Sequence, residues 1–270
     1  MSALLDHLIA ISFEAADLID EVYRTPFTVD LKGPGDPVTQ ADLRANEHIC
    51  SRLAALYPDV PVVAEESAPE RFRKYRTAER VFFVDPLDGT TEFVARNGQF
   101  VVMIGIVEGA RATAGVVMAP SRQVAWAGEI GAGAWSVGRN GVRGKIHVSD
   151  VVELGASTFV ASRSHRSPAL ERALALLGGR EIRNLGSAGL KGAEVASGLV
   201  EGYVAPGRVG KRWDACAVDA LVTAAGGRFS DQEGRPFDYR AENLSNVDGL
   251  VATNGHVHDA VLERLTQLGR

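Results

Sequence analysis

Two acidic residues, three positions apart, lie at the end of an apolar run in the first half of the chain. Residues 81–84 read Val-Phe-Phe-Val, and residues 85–90 read Asp-Pro-Leu-Asp-Gly-Thr. Because proline lacks an N–H group and fixes its own φ angle, the chain must turn after the apolar run. The turn can direct the Asp85 and Asp88 carboxylates and the Leu87 carbonyl at one point, and hard cations such as Mg²⁺ bind that set of oxygen ligands. The segment therefore predicts a cation site, with a turn that only caps the next element as the alternative.

The residues after these carboxylates can bind an anion. Gly89, Thr90 and Thr91 come directly after Asp88. Backbone N–H groups at such a turn are free to donate hydrogen bonds, and they suit the oxygens of a phosphate group. The sequence thus predicts a phosphate-binding turn beside the cation site.

Four further acidic residues are separated from this segment. Asp42 follows Pro-Val-Thr-Gln-Ala, Glu65 and Glu66 are adjacent, and Asp214 follows a tryptophan. Taken singly, each has a simpler explanation: the first turn of a helix for Asp42, a solvated pair for the glutamates and a helix N-cap for Asp214. As an ordered set together with residues 85–90, they indicate a metal site.

The elements that position these residues can be predicted from the spacing of apolar residues. In the first half, the spacing predicts a helix at 40–57 and strands at 60–64, 81–84, 100–107, 112–118, 124–127 and 134–137. In the second half, strands and helices alternate at 158–161, 167–178, 200–204, 214–225 and 249–252. The most linker-like stretch, 32–37, is short. We therefore expect an α/β protein in which an α+β half, 1–153, and an α/β half, 154–270, form one compact unit.

Charge and composition exclude several classes of protein. The chain has 270 residues, of which 46% are apolar, and a net charge of −5, unlike a general nucleic-acid or membrane-surface binder. Residues 1–23 form an acidic amphipathic helix pattern that differs from a signal peptide, and no apolar stretch approaches the roughly 20 residues of a membrane span. The two cysteines, Cys50 and Cys216, have no ligand-like spacing. These features predict a soluble, cytoplasmic protein.

The ordered acidic motifs resemble those of the inositol monophosphatase superfamily. The match spans residues 36–239 and includes Pro-Val-Thr-x-x-Asp, Glu-Glu, Asp-Pro-Leu-Asp-Gly-Thr and Trp-Asp, with Ala-Gly-Gly beyond the last. The resemblance implies a layered αβαβα fold and a hydrolase that acts on a small phosphomonoester with two or three Mg²⁺ ions. It also implies inhibition by Li⁺ and, as in many members, a homodimer.

The resemblance also implies roles for individual residues. The implied metal ligands are Glu65, Asp85 and the Leu87 carbonyl for one ion, and Asp85, Asp88 and Asp214 for a second. The implied catalytic residues are Asp42, Thr90 and Glu65: Asp42 would hydrogen-bond Thr90, and this pair, with a metal, would activate the attacking water. Two adjacent cations can polarise a phosphoryl group and stabilise the leaving oxygen, which agrees with this assignment.

Segments outside the acidic motifs resemble the 3'(2'),5'-bisphosphate nucleotidases of this superfamily, which convert 3'-phosphoadenosine 5'-phosphate to AMP. One such segment is Ser-Arg-Ser-His at 162–165. The resemblance implies that His165 stacks on adenine and that Ser187, Lys191 and Arg208 hold the phosphate that is not cleaved. The simpler alternatives are a surface histidine and a solvated basic loop. Positive charge before Asp214 favours a second phosphate.

Two departures keep a second substrate class open. These nucleotidases usually have a basic residue at the position of Thr91, whereas inositol phosphatases have a threonine there, as this chain does. Gly189 is an extra residue relative to the nucleotidase pattern. The leading hypothesis is a nucleotidase that clears the by-product of sulfate assimilation, and the alternative is an inositol-1-phosphatase or a broad sugar phosphatase. A non-catalytic protein on the same scaffold predicts the loss of an implied catalytic or metal-binding residue, and all of them are present.

Overall fold

The structure, a computed structural model, describes residues 1–33, 36–72 and 74–269. Its α-helices are α1 (Ala3–Tyr23), α2 (Gln40–Leu56), α3 (Thr90–Val94), α4 (Pro168–Leu177), α5 (Ala188–Ala196), α6 (Arg212–Ala224) and α7 (His258–Leu265). Its strands are β1 (Val29–Gly33), β2 (Asp36–Thr39), β3 (Val62–Ala64), β4 (Arg80–Asp88), β5 (Val101–Glu108), β6 (Arg111–Ala119), β7 (Val124–Glu129), β8 (Gly133–Gly138), β9 (Arg143–Ile146), β10 (Thr158–Ser162), β11 (Glu181–Leu185), β12 (Gly202–Ala205), β13 (Arg228–Ser230) and β14 (Leu250–Thr253).

Most of the strands belong to two sheets. Among the described residues, one sheet has seven strands in the order β3-β4-β5-β6-β7-β8-β9, and the other has five in the order β11-β10-β12-β14-β13. In the first sheet β3 runs parallel to β4, and the later neighbours are antiparallel. In the second, β10 is parallel to β11 and β12, and β14 is antiparallel to its neighbours. Because β3 and β4 are parallel neighbours, the residues that follow them lie at the same sheet edge.

Helices and sheets alternate in five layers. Helices α1 and α2 cover one face of the seven-stranded sheet, α5 and α6 pack between the two sheets, and α4 and α7 cover the outer face of the five-stranded sheet. A buried apolar cluster fills each side of this arrangement, and the largest cluster surrounds α5 and α6. Burial of these apolar faces is the main favourable contribution to folding. The predicted αβαβα fold is confirmed.

A row of glycines lets α6 lie close against the seven-stranded sheet. Gly105, Gly115 and Gly128 are paired neighbours on β5, β6 and β7. A Cβ atom added at Gly115 would lie 2.7 Å from the Cα atom of Ala217 in α6, closer than packed atoms approach. The missing side chains therefore set the height of α6 above the sheet, and the first turn of α6 carries Asp214.

The elements predicted from spacing are confirmed, with bounds that shift by a few residues. The helix at 40–57 is α2, the strand at 81–84 is the centre of β4, and the strands at 100–107 and 112–118 are β5 and β6. The prediction missed α5, which is rich in alanine and glycine, and β11, whose residues are mostly exposed at a sheet edge. Of the linker-like stretch 32–37, residues 34 and 35 lie outside the described residues, and the flanking residues pair as β1 and β2. The division at residues 153 and 154 stays a prediction.

No helix in the part of the chain that the structure describes is long and apolar enough to cross a membrane.

Candidate active site

Strand β4 carries the two carboxylates that were predicted to bind a cation. Its pairing with β5 shifts between Asp85 and Asp88, so the intervening residues leave the regular ladder. Asp85 is 2% exposed, and its Oδ1 accepts a hydrogen bond from Leu87 N at 3.0 Å. Gly89 follows with a φ of 102°, a left-handed conformation that favours glycine, and α3 begins at Thr90. The chain thus changes from strand to helix within a few residues that line one cavity.

Glu65 and Asp214 approach Asp85 from two other elements. Glu65 follows β3, and its N–H donates a hydrogen bond to the Val84 carbonyl of β4 at 3.1 Å. Asp214 lies in the first turn of α6, where its Oδ2 accepts a hydrogen bond from Lys211 N. One carboxylate oxygen from each of Glu65, Asp85 and Asp214 lies within 4.8 Å of the other two. Three elements therefore bring three carboxylates into one small volume, which we call the acidic cluster.

Burial makes the acidic cluster unfavourable as a set of charged groups. Burial, and then the charges of Glu65, Asp88 and Asp214, raise the pKa of Asp85 well above its usual range. Burial and the Glu65 charge raise the pKa of Asp214 to about 8. Burial also raises the pKa of Glu65, although the Lys32 ammonium opposes this shift. A divalent cation would offset the repulsion, and the oxygen donors of the cluster fit such an ion.

Lys32 brings a positive charge to the acidic cluster. Its Nζ lies 2.7 Å from Glu65 Oε1, 2.6 Å from Glu66 Oε1 and 3.7 Å from Asp36 Oδ1. Lys32 is not among the predicted site residues, because it lies at the start of the linker-like stretch 32–37. The alternation of apolar and charged residues over 29–32, Val-Asp-Leu-Lys, is the pattern that indicates a strand there.

Asp42 and Thr90 form the hydrogen bond that the resemblance implied. Thr90 Oγ1 lies 2.9 Å from Asp42 Oδ1 and 3.3 Å from the Leu87 carbonyl oxygen. Asp42 Oδ2 accepts hydrogen bonds from Thr39 N at 2.8 Å and Thr39 Oγ1 at 2.7 Å, in a capping box at the start of α2. Burial raises the pKa of Asp42, and the hydrogen bonds from Thr39 and Thr90 oppose that shift. Two elements thus fix the position of the Thr90 hydroxyl.

A cavity of about 420 Å³ connects the acidic cluster with residues of the second half of the chain. Every predicted site residue except Asp42 contributes to its lining. Asp42 is 1% exposed and reaches the cavity through its hydrogen bond to Thr90. The structure therefore gathers residues that lie far apart in the sequence around one cavity.

Asp88 and Ser187 contact each other at the wall of this cavity. Ser187 Oγ donates a hydrogen bond to Asp88 Oδ2, and Gly189 N donates to the same oxygen at 2.8 Å. Ser187 Oγ also accepts a hydrogen bond from Leu190 N at 3.1 Å and so caps α5. Asp88 is not one of the three carboxylates that converge among the described residues. Its role as a metal ligand, and the contact of Ser187 with a phosphate, stay predictions.

Lys191 is a buried residue of the cavity lining. It is 3% exposed, its Nζ donates a hydrogen bond to the Ser187 carbonyl at 2.5 Å, and it lies 5.0 Å from the centre of the Tyr203 ring. Burial lowers the pKa of Lys191 to about 8, and the charges of Asp88 and Glu92 oppose this shift. The ammonium therefore supports the turn at Ser187, and its direct contact with a phosphate stays a prediction.

His165 and Arg208 are exposed residues on the cavity lining. The His165 N–H donates a hydrogen bond to Ser162 Oγ at 3.0 Å, so the turn around it has a defined shape. Both side chains can reach a molecule in the cavity from the solvent side. Their roles toward a base and a second phosphate stay predictions.

Five alternating layers with an acidic cavity define the sugar-phosphatase fold. A model of the inositol monophosphatase family matches residues 1–269 of the chain. The chain belongs to the inositol monophosphatase family.

Individual relatives agree with this assignment. The chain is 37% identical over 238 residues to "3'(2'),5'-bisphosphate nucleotidase CysQ" of Escherichia coli, and the alignment covers 87% of this chain and 94% of that protein. Among solved structures, it is similar to the extragenic suppressor protein suhB of Bartonella henselae, with 27% identity, a TM-score of 0.84 and coverage of 98% and 99% of the two chains. It is also similar to an IMPase of Thermotoga maritima, with 26% identity, a TM-score of 0.84 and coverage of 99% and 98%.

Proposed function

We propose that this protein is a Mg²⁺-dependent phosphomonoesterase that hydrolyses 3'-phosphoadenosine 5'-phosphate to AMP and phosphate. The observation that carries the proposal is the convergence of Glu65, Asp85 and Asp214 beside the Asp42–Thr90 hydrogen bond in one cavity. The nucleotidase names of its relatives support the substrate. A homodimer and a cytoplasmic location are part of the same proposal.

The chain's oxygen ligands suit Mg²⁺. Glu65, Asp85 and the Leu87 carbonyl would hold one ion, and Asp85, Asp88 and Asp214 would hold a second. Bound Mg²⁺ supplies the positive charge that polarises the phosphoryl group, stabilises the leaving oxygen and makes water a better nucleophile near neutral pH. By family resemblance, Li⁺ would inhibit.

Thr90 and Asp42 would orient the attacking water. The Thr90 hydroxyl donates its hydrogen to Asp42 Oδ1, so a lone pair on Thr90 Oγ1 is available to accept a hydrogen bond from water. Asp42 can take up the proton that passes through Thr90 Oγ1, because Oδ1 already accepts from that hydroxyl. The two bonds from Thr39 keep Asp42 in this orientation. Proton transfer then requires no movement of either side chain.

The turn at the start of α3 would bind the phosphate that is cleaved. Gly89, Thr90 and Thr91 line the cavity beside Asp85 and Asp88. Backbone N–H groups at the beginning of a helix bind phosphate oxygens, and those of Thr90 and Thr91 lie at that position. This turn would hold the phosphorus atom close to the acidic cluster and to Thr90 Oγ1.

The second half of the chain would select the rest of the substrate. Arg208 is exposed on the lining and can bind the second phosphate, and His165 can stack on the adenine ring. Ser187 and Lys191 would act from the N-terminal turn of α5, where the buried ammonium donates a hydrogen bond to the Ser187 carbonyl. A nucleoside bisphosphate needs such added positive charge, whereas an inositol ring does not.

An inositol-1-phosphatase, or a phosphatase of broad sugar specificity, is the second candidate. Thr91 supports it, because this position lines the cavity and carries no positive charge. The solved IMPase of Thermotoga maritima is a fold relative that supports the same candidate.

A competition between the two substrates tests the proposal. The purified protein would receive Mg²⁺ with 3'-phosphoadenosine 5'-phosphate or with myo-inositol 1-phosphate at the same low concentration, and released phosphate would be measured. We expect faster release from the nucleotide and no release after chelation of the metal. Faster release from the inositol ester would support the second candidate, and activity that survives chelation would contradict the metal mechanism.

A further inference from the structure

A buried carboxylate outside the acidic cluster connects two segments of the cavity wall. Glu92 in α3 is 4% exposed. Its Oε1 accepts a hydrogen bond from Ser164 Oγ, and its Oε2 accepts one from Asn97 Nδ2. Ser164 lies between β10 and α4 and directly precedes His165. Glu92 therefore reaches from the turn proposed to bind phosphate to the turn proposed to bind the base.

A third segment is fitted against the same side chain. A Cβ atom added at Gly186, which lies between β11 and α5, would be 2.5 Å from Glu92 Cγ and 2.8 Å from its Cδ. Only glycine leaves room for Glu92 at this distance. The Gly186 N–H donates to Gln99 Oε1 at 2.7 Å, and Gln99 N donates to Asn97 Oδ1 at 3.0 Å. The contacts close into a network, here called the Glu92 network, of Glu92, Ser164, Asn97, Gln99 and Gly186.

The two hydrogen bonds that Glu92 accepts have an ionised acceptor. Each oxygen of Glu92 accepts from a neutral donor of the chain, and hydrogen bonds to an ionised acceptor are stronger than those between neutral groups. The carboxylate itself is 4% exposed, which limits competition from water at its oxygens. The Glu92 charge also favours the ammonium of Lys191, which supports the turn at Ser187.

Two hydrogen bonds hold the turn that carries His165, one within the turn and one to Glu92. The His165 N–H bonds to Ser162 Oγ at 3.0 Å within the turn, and the neighbouring Ser164 hydroxyl bonds to Glu92 in the other half of the chain. The first bond shapes the turn, and the second sets where the turn lies relative to the phosphate-binding turn. Loss of the bond between Ser164 and Glu92 would leave the shape of the turn unchanged, but it would allow the turn to move relative to the phosphate-binding turn.

We propose that Glu92 is a positioning residue that holds the turn carrying His165 at a fixed place beside the phosphate-binding turn, and thereby sets the affinity for the base of the substrate. This inference rests on the proposed nucleotide substrate. A turn fixed before binding does not have to be ordered by the substrate, so binding costs less conformational entropy. The reacting phosphate is held by other groups, so kcat depends little on the Glu92 network.

The substitution Ser164→Ala tests the inference with the smallest change, because it removes one hydroxyl and leaves the carboxylate in place. Its control is Ser136→Ala on β8, which removes a hydroxyl far from the cavity. The steady-state constants would be measured with 3'-phosphoadenosine 5'-phosphate and with glycerol 2-phosphate, which has no base. We expect Ser164→Ala to raise KM for the nucleotide about tenfold, the effect of losing one hydrogen bond to a charged group. We expect kcat, and both constants for glycerol 2-phosphate, to stay within about twofold.

Substitutions at Glu92 separate hydrogen bonding from the rest of its packing. Glu92→Gln can accept from Asn97 through its oxygen and donate to the Ser164 hydroxyl through its nitrogen, so we expect it to keep nucleotide KM within about threefold of wild type. Glu92→Ala loses both bonds and should match Ser164→Ala. Equal increases in KM for both substrates would overturn the positioning role and indicate a general loss of structure.

Hydrogen exchange gives a readout that needs no substrate. In Ser164→Ala, the peptide covering residues 162–167 should exchange faster than in wild type and in Ser136→Ala, while residues 85–91 should be unchanged. Unchanged exchange in an enzyme that prefers the nucleotide would overturn the role of Glu92. A wild-type enzyme without that preference would instead overturn the proposed function, and the two failures are therefore distinct.

Discussion

Lys32 Nζ lies 2.7 Å from Glu65 Oε1, so the chain supplies a cation of its own to the acidic cluster. The same ammonium lies 2.6 Å from Glu66 Oε1. Burial opposes the charge on Lys32, but Glu65 and Glu66 outweigh this effect and raise its pKa. Lys32 is therefore charged at neutral pH, and a divalent cation that binds Glu65 must compete with it.

Removal of the Lys32 charge should strengthen Mg²⁺ binding. A partly buried ion pair contributes roughly 1 kcal/mol, which corresponds to about a fivefold change in an equilibrium constant. We expect Lys32→Met to lower the half-saturating Mg²⁺ concentration by about fivefold, and to enlarge the increase in Tm that Mg²⁺ produces. Calorimetric titration and thermal unfolding with and without Mg²⁺ would measure these effects. The control is Lys145→Met on β9, where an exposed lysine lies outside the cavity; a weaker Mg²⁺ affinity in Lys32→Met would contradict the competition.

Asp88 can serve as a metal ligand or only as a hydrogen-bond acceptor, and a near-isosteric substitution can separate these two roles. As a metal ligand it needs its charge, whereas as an acceptor for Ser187 Oγ and Gly189 N it needs only an oxygen. We expect Asp88→Asn to keep Tm within a few degrees and to lower kcat/KM by at least about a hundredfold, because a neutral amide is a poor ligand for Mg²⁺. Asp150→Asn, at an exposed position, is the matched control. Wild-type turnover at ordinary Mg²⁺ concentrations would show that Asp88 only caps α5.

The close approach of α6 to the sheet should not tolerate a side chain. A Cβ atom at Gly115 would lie 2.7 Å from Ala217 Cα and 2.8 Å from its carbonyl oxygen, and both are backbone atoms that cannot rotate away. We expect Gly115→Ala to reduce the free energy of unfolding by about 3 kcal/mol, as overpacking in a dense core does. Urea unfolding would measure the loss. Gly155→Ala is the control, because nothing lies within 4 Å of its added Cβ; equal stability of the two variants would contradict the packing argument.

The acidic cluster of Glu65, Asp85 and Asp214 could be predicted because the ordered motifs that carry these residues resemble those of a known family, whereas local preferences explain only the geometry within each motif. The turn at Asp85 is determined by the neighbouring residues 85–90, and the capping box that fixes Asp42 is only four residues long. The contacts that were missed join residues far apart in the chain. Lys32 and Glu65 are 33 positions apart, and Glu92 and Ser164 are 72 apart. Local spacing contains no information about such pairs, since they depend on how sheets and helices pack.

The same limit applies to the direction in which an individual side chain points. The resemblance implies that Lys191 holds a phosphate, but no sequence pattern shows that its Nζ also donates a hydrogen bond to the Ser187 carbonyl. The direction of a side chain in α5 depends on the placement of this helix between the two sheets. The Lys191 ammonium lies over the ring of Tyr203 on β12, and this contact depends on how α5 packs against the five-stranded sheet.

His258 should make the free energy of unfolding decrease as the pH falls below about 6.5. Its Nε2 lies 3.0 Å from Ser230 Oγ and its Nδ1 lies 2.9 Å from Thr253 Oγ1. Ser230 already donates its hydrogen to the Asp231 carbonyl, so Nε2 donates to Ser230, and Nδ1 accepts from the Thr253 hydroxyl. A proton on Nδ1 would break the bond from Thr253. Burial, aided by the charge of Arg228, lowers the pKa of His258 from 6.5 to about 4.

The direction of the pH effect follows from this lowered pKa. Above pH 6.5 the ring is neutral in both the folded and unfolded states, and its contribution to stability is complete. Between about pH 6.5 and 4 the unfolded state takes up a proton that the folded state does not, so stability falls as the pH falls, by up to about 3 kcal/mol.

We expect His258→Gln to be less stable than wild type at pH 7 by about 1 kcal/mol, the contribution of one hydrogen bond, and to lose less stability on acidification. Urea unfolding at pH 7, 5.5 and 4.5 would be compared with His256→Gln, an exposed histidine two positions earlier. If the free energy of unfolding fell equally between pH 7 and 4.5 in the two variants, the result would contradict a neutral buried ring at position 258.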